Sequence, residues 1–216
     1  MFSYGGQSML KKYKCVIFDI DGTILNTEKM NIIPLMRLIK EEKGLDMSYE
    51  ELTFITGNPG RKSLQQLGFE NIEESYAKWV SYVNAYEEGA ELYENMDKVI
   101  EKLHENDIIC GIVSSKTSSQ YEIDFIPTGL DKFIKAKVLE DDTKNHKPHP
   151  EPILTIVKEL GISVENSIYI GDTLSDYQCA KNAGMDFALA LWGARDAENI
   201  RSEIVFEKPE DILKII

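Results

Sequence analysis

Val16-Ile17-Phe18-Asp19-Ile20-Asp21-Gly22-Thr23 is the stretch that decides how this chain folds. The residues leading into Asp19, from Cys15 onward, are apolar, mostly β-branched or aromatic, and nearly continuous rather than alternating. A strand with that pattern is covered on both faces, as strands are inside a parallel sheet. Two carboxylates, Asp19 and Asp21, follow at its C-terminal end, the edge where open α/β sheets place their ligands. Residues i and i+2 of a strand point the same way, so both acids are expected to face one cleft. Gly22 then lets the backbone turn sharply.

Working outward, similar apolar runs ending in small or acidic residues recur at Ile108–Ser114, Ile134–Leu139, Ser167–Asp172 and Phe187–Trp192. Helical patterns lie between several of them. Asp97–Glu105 puts Val99, Ile100 and Leu103 on one face, and Pro150–Leu160 does the same with Ile153, Ile156, Val157 and Leu160 before Gly161 stops it. Alternating strands and helices predict an α/β fold with a Rossmann-like parallel sheet. From about residue 26 to residue 96 that rhythm breaks, and only helical patterns are found. Thr27–Gly44 reads as a helix kinked at Pro34, and Ser48 with Glu51 forms a capping box for a second helix. Ile72, Tyr76, Trp79, Val80 and Val83 make one broad helical stripe suited to bundle packing. The expected layout is an α/β core of residues 1–25 and 97–216, interrupted by an all-helical insert of residues 26–96.

Three further segments carry polar chemistry at strand ends or crossover loops. Ser114 and Ser115 close the run Ile112-Val113, where a hydroxyl and a following N–H can donate to a phosphate oxygen, or where serine serves as a helix cap. Lys147 lies in His146-Lys147-Pro148-His149-Pro150, where proline excludes helix and holds a rigid loop. A lysine there is a compact point charge suited to phosphate, or a solvated side chain. Asp172 follows the run Tyr169-Ile170-Gly171, and Asp176 follows by four at the start of a predicted helix. Hard oxygen donors without histidine or thiolate suit Mg²⁺.

The 216 residues, 43% hydrophobic and 28% charged, are enough for one core plus a small insert. Net charge is 24 minus 37, or −13. This argues against nucleic acid and anionic membrane as partners, and it requires any phosphate site to be locally positive. Cys15, Cys110 and Cys179 are too far apart for a CxxC site and read as reduced, buried thiols. No run approaches a membrane span, and the segment before Tyr13 lacks the apolar stretch of a secretory signal, so a cytoplasmic location is expected.

The four segments occur in an order that resembles the haloacid dehalogenase superfamily of hydrolases, in the branch of phosphoglycolate phosphatases and β-phosphoglucomutase-like enzymes. The resemblance runs from Lys14 to the C-terminus. It implies that the helical insert is a cap domain and that Asp19 is a nucleophile forming an aspartyl-phosphate, with Asp21 as general acid and base. It implies a Mg²⁺ ion held by the Asp19 carboxylate, the Asp21 carbonyl and Asp172, with Asp176 binding directly or through water. Ser114, Ser115 and Lys147 would bind the transferring phosphoryl group, helped by the N–H groups of Ile20, Asp21 and Ser115. A carbon-attacking dehalogenase would lack the second aspartate, which this sequence keeps. The expected activity is Mg²⁺-dependent hydrolysis of small phosphomonoesters by a monomer or weak dimer. A pyrophosphatase, a phosphosugar mutase and a non-catalytic module are the alternatives. Gly57-Asn58-Pro59-Gly60-Arg61-Lys62 resembles a cap loop that reaches the site, which makes Arg61 or Lys62 a candidate for a second anionic group on the substrate, with a solvated cationic turn as the alternative.

Overall fold

In a computed structural model, which describes residues 12–56 and 60–216, β1 (Cys15–Phe18) is fully buried at the centre of the chain's main sheet. A two-residue strand, β2 (Leu25–Asn26), follows the Asp19–Thr23 turn. Four helices come next: α1 (Glu28–Lys43), α2 (Tyr49–Leu52), α3 (Gly60–Gln66) and α4 (Ile72–Asn84). β3 (Glu91–Leu92) then returns to pair antiparallel with β2. The rest of the chain alternates: α5 (Met96–Glu105), β4 (Ile109–Val113), α6 (Ser118–Asp124), β5 (Ile134–Val138), α7 (Glu151–Leu160), β6 (Ser167–Gly171), α8 (Leu174–Ala183), β7 (Asp186–Ala190) and β8 (Ile204–Phe206).

The six-stranded sheet runs β5-β4-β1-β6-β7-β8, and every neighbouring pair is parallel. Alternation along β1 sends its side chains to two separate cores. Val16 and Phe18 pack with Val99, Ile100 and Leu103 of α5, with Tyr121 of α6 and with Ile212 near the C-terminus. Cys15 and Ile17 pack with Ile153, Ile156 and Val157 of α7 and with Cys179 and Ala180 of α8. Both faces are therefore sealed, which is why the strands read as continuous apolar runs. Gly111 in β4 serves this packing, because a Cβ there would lie 2.9 Å from Ile156 Cδ1. The chain leaves β1 toward β4 and β5 on one side and later toward β6, β7 and β8 on the other. The C-terminal end of β1 is thus a topological switch point, where open sheets form their ligand crevice.

The insert has a core of its own. Met30, Leu35, Leu38, Ile39, Leu52, Leu64, Trp79 and Val83 cluster there. Trp79 fills the packing role its spacing predicts and donates Nε1–H to the carbonyl of Asn31 at 3.0 Å. The Ser48–Glu51 capping box is present, although the α-helix it starts is a single turn. α1 continues through Pro34 as one helix. The sequence reading finds no strand between residues 26 and 96; β2 and β3 are the exceptions, too short to leave a pattern. β8 and α6 also escape it, the first because three residues carry little periodicity. All three cysteines are buried and free, and among the described residues no helix is long and apolar enough to cross a membrane.

Ile17, with no exposed surface, touches the α7–α8 face. Ile17→Ala is expected to cost roughly 2–5 kcal/mol, from lost transfer energy plus the cavity left behind. Chemical denaturation checks this; a loss below about 1 kcal/mol would mean that the core collapses around the gap.

Candidate active site

β1 stops at Phe18, and the chain then turns, with Asp19 N–H donating to the carbonyl of Ile170 at 2.9 Å. This bond seats Asp19 beside the end of β6, where Gly171 and Asp172 follow. Strand alternation consequently does not set the direction of Asp21, which lies on the turn in an isolated bridge with Leu25. Gly22 has φ +80°, and a Cβ on it would fall 2.1 Å from Asp172 Oδ2. Glycine is needed there twice over, for the backbone conformation and for the space. The loop after β7 supports the turn from the other side. Trp192 donates Nε1–H to the carbonyl of Thr23 at 3.0 Å, and a Cβ on Gly193 would meet the Gly22 carbonyl oxygen at 1.8 Å.

Three carboxylates from two parts of the chain meet at this edge. Asp19, Asp172 and Asp176 are all buried, and each offers an oxygen within 4.8 Å of the others. Lys147 brings the compensating charge, with its ammonium 3.1 Å from Asp19 Oδ1 and 2.6 Å from Asp176 Oδ1. The four residues come from the ends of β1 and β6, the first turn of α8 and the loop before α7.

The three acids are not equivalent. Asp176 is saturated: its Oδ2 accepts from Thr173 N–H at 3.0 Å and from Thr173 Oγ1 at 2.6 Å, closing a capping box at the start of α8. Its Oδ1 faces Lys147 and lies 3.0 Å from the hydroxyl of Tyr169. Among the described residues, the Asp172 carboxylate accepts only from the Thr23 hydroxyl, on Oδ1, at 3.1 Å. Asp19 Oδ1 is buried without a hydrogen-bond partner among the described residues; the Lys147 ammonium, 3.1 Å away, makes an ion pair with it instead. A buried carboxylate oxygen left in that state is costly unless a cation completes it. The donor set is all hard oxygen, with the small cleft at Gly22 keeping Asp172 close, so the residues fit a hard divalent ion.

Burial pushes the Asp19 carboxyl up to about 7, with Lys147 opposing and Asp176 and Asp21 adding to the rise. Asp172 is raised well above its ordinary value by burial and by Asp176 and Asp19. Burial favours the neutral form of Lys147, but Asp176 and Asp19 outweigh it and hold its proton more tightly than usual. A cluster in this state carries protons that a cation must displace.

The remaining sequence candidates are placed as follows. Ser114 is buried at the end of β4, where its Oγ accepts from Lys116 N–H at 3.3 Å, and Ser115 is exposed beside it. Asp21 stands apart from the carboxylate trio, with Oδ1 3.0 Å from the ammonium of Lys116. The turn Gly57–Pro59 lies outside the described residues, but Arg61 and Lys62 part company just after it. Arg61 is engaged by Glu73 at 2.9 Å and sits 4.1 Å over the ring of Tyr76. It lines a cavity of about 320 Å³ with Thr117, Glu140 and His146. Lys62 instead borders a second cavity of about 330 Å³, together with Asp172, Thr173 and Arg195. The guanidinium of Arg195 pairs with Glu28 at the start of α1. Sequence reasoning assigned no part to Thr23, Tyr169, Lys116 or Trp192. Thr23 was readable, as the hydroxyl closing Asp-x-Asp-Gly-Thr, whereas the others reach the site only through tertiary packing.

Comparison with known proteins agrees with this geometry. The family model described as haloacid dehalogenase-like hydrolase matches residues 16–190. A curated relative, pyrophosphatase PpaX of Anoxybacillus flavithermus, is 26% identical over 205 residues, covering 93% of this chain and 95% of its own. The same-named protein of Halalkalibacterium halodurans is 28% identical over the same shares. Among solved structures, a provisionally named phosphoglycolate phosphatase from Lactobacillus plantarum superposes with a TM-score of 0.87 at 26% identity. That match covers 95% of this chain and 100% of the other.

Mg²⁺ binding measured by calorimetry is expected to weaken between pH 8 and pH 6. A carboxyl raised to about 7 is mostly ionised at the first pH and mostly protonated at the second, so protons compete with the cation as pH falls. Equal affinity at the two values would mean that Asp19 is no part of the cation site.

Proposed function

The chain belongs to the haloacid dehalogenase-like hydrolase family, and we propose that it is a Mg²⁺-dependent phosphatase of small phosphorylated metabolites, acting through an aspartyl-phosphate on Asp19. The observation that carries this reading is the meeting of Asp19, Asp172 and Asp176 with Lys147 at the C-terminal edge of the sheet. Phosphoryl transfer requires positioning and charge neutralisation more than a strong base, and these are what the cluster supplies.

Asp19 and Asp172 have the free oxygens to hold the ion, with the Asp21 carbonyl and Asp176 completing its surroundings. When bound, the ion neutralises charge on the phosphoryl oxygens and keeps the Asp19 carboxylate ionised. Asp19 attacks phosphorus, an O–P bond forms, and the bond to the leaving oxygen breaks as Asp21 gives that oxygen a proton. Water then attacks the acyl phosphate while Asp21 takes back a proton, and phosphate leaves from a regenerated Asp19. Lys147, oriented by Asp176 and Tyr169, binds the transferring group, with Ser114 and the N–H groups of Ile20, Asp21 and Ser115 as donors at the same edge. The helical insert of residues 26–96 is the cap, and the two cavities on its border with the sheet domain are where the leaving group is read.

Inorganic pyrophosphate is a second reading, supported by the names of the curated relatives and by Lys62 and Arg195 on the cavity that contains Asp172. A second anionic group, whether phosphate or carboxylate, fits cations in that place.

Asp19→Asn is expected to lower turnover by more than about a thousandfold, since an amide cannot form the intermediate; turnover within tenfold of the parent would refute the nucleophile. A panel of 2-phosphoglycolate, a hexose phosphate and pyrophosphate, assayed for released phosphate, separates the substrate classes, and a hexose phosphate isomerised without release would indicate a mutase. On whichever doubly anionic substrate is turned over, Lys62→Ala is expected to raise KM roughly tenfold, and Arg61→Ala to leave it within about twofold. The reverse order would move the second anion to the Arg61 cavity.

A further inference from the structure

Lys116 is a buried cation that the mechanism above does not use. Its side chain is 6% exposed, and its ammonium makes a short ion pair with Asp124, whose side chain is 4% exposed. Its other partner is Asp21 Oδ1, at 3.0 Å, on a carboxylate that is 37% exposed. The lysine backbone is fixed on both sides, through N–H to Ser114 Oγ and through its carbonyl, which accepts from Glu140 N–H at 2.9 Å. Thr117 then caps α6 in a capping box with Gln120, and α6 delivers Asp124 one helix-length later, back onto the lysine. A lysine serving only as a buried structural pair would need Asp124 and nothing else. Here the same ammonium also touches the acid on the active-site turn.

We propose that Lys116, anchored by Asp124, is a positioning residue for Asp21. The ammonium takes Asp21 Oδ1 and so fixes the plane of the carboxyl, leaving Oδ2 as the oxygen that exchanges a proton with the leaving group and then with water. Asp124 balances the charge of the buried lysine, so the contact with Asp21 is a single ion pair, 3.0 Å long, to one oxygen of its carboxylate. The sequence spacing fits this division. Lys116 stands two residues after Ser114, so the strand end carrying the phosphoryl-binding hydroxyl also carries the group that orients the acid. This inference rests on the acid–base role proposed for Asp21.

Leaving-group dependence provides the test. An alkyl phosphate, such as glycerol phosphate, needs a proton on its leaving oxygen, whereas 4-nitrophenolate departs without one. Lys116→Met combined with Asp124→Leu removes both charges, so neither is stranded in the interior. Its kcat/KM, which reports the steps up to departure of the leaving group and excludes the acyl-phosphate hydrolysis common to both esters, is expected to fall by about a hundredfold or more on the alkyl ester and by less than about threefold on the aryl ester. Asp124→Asn, which keeps the lysine and loosens its anchor, is expected to show the same selectivity at roughly tenfold. Kinetics are read on protein with the parent's circular dichroism, and if the double variant lacks it, Asp124→Asn carries the test. Equal losses on the two esters, or no loss on the alkyl ester, overturn the positioning role. Asp21→Asn is the control: selective loss on the alkyl ester there, with none in the lysine variants, refutes Lys116 alone. An unselective loss of kcat/KM in Asp21→Asn would remove the acid–base reading, and the inference with it.

Discussion

Like charges held together out of water are the constraint on which this structure depends. Asp19, Asp172 and Asp176 are buried within 4.8 Å of one another, an arrangement that would drive itself apart without a compensating charge and fixed donors. Lys147 compensates part of it, bridging Asp19 and Asp176. Thr23, Thr173 and Tyr169 hold individual oxygens. What is left uncompensated falls on Asp19, whose carboxyl is pushed up to about 7 chiefly by burial, and on Asp172, raised well above its ordinary value by burial and its acidic neighbours. The stabilising sheet and the destabilised cluster are thus parts of one design: the sealed strands β1 and β6 keep the acids from moving to water.

Glycine makes that closeness possible. At Gly22 and Gly171 a side chain would collide with Asp172 and Asp176 respectively, and at Gly193 with the backbone of the Asp19–Thr23 turn. Those three contacts remove the room in which the carboxylates could relax. The Trp192 indole closes the same turn from outside. One member of the cluster, Asp172, lines the second cavity, on the border between sheet and insert.

That border distinguishes cations the sequence could not. Arg61 and Lys62 are neighbours on α3, about 100° apart around the helix axis. One is drawn over Tyr76 to Glu73 on α4; the other is left on the cavity that contains Asp172. With a net charge of −13, the chain still sets cations beside the acids at this edge: Lys147 and Lys116 buried, Lys62 and Arg195 at the cavity rim. These cations offset part of the acidic charge at the edge, and an anionic ligand requires the rest to be neutralised.

The sequence by itself determined the sheet, the helical insert and the set of chemical groups. Continuous apolar strands, helical periodicity and glycine turns are local consequences of burial and backbone geometry, and they can be read one segment at a time. Asp19, Lys147, Asp172 and Asp176 were legible because each ends a strand or opens a crossover, and the parallel topology brings such ends to one edge. Only the tertiary structure decided how those groups share their charge: Asp176 saturated by its own helix cap, Asp21 turned to Lys116, Arg61 withdrawn to Glu73. Each outcome depends on distances between residues remote in the chain, or on where a strand stops within a residue or two. Periodicity does not encode either quantity, whereas an electrostatic energy that changes over a few ångström depends on both.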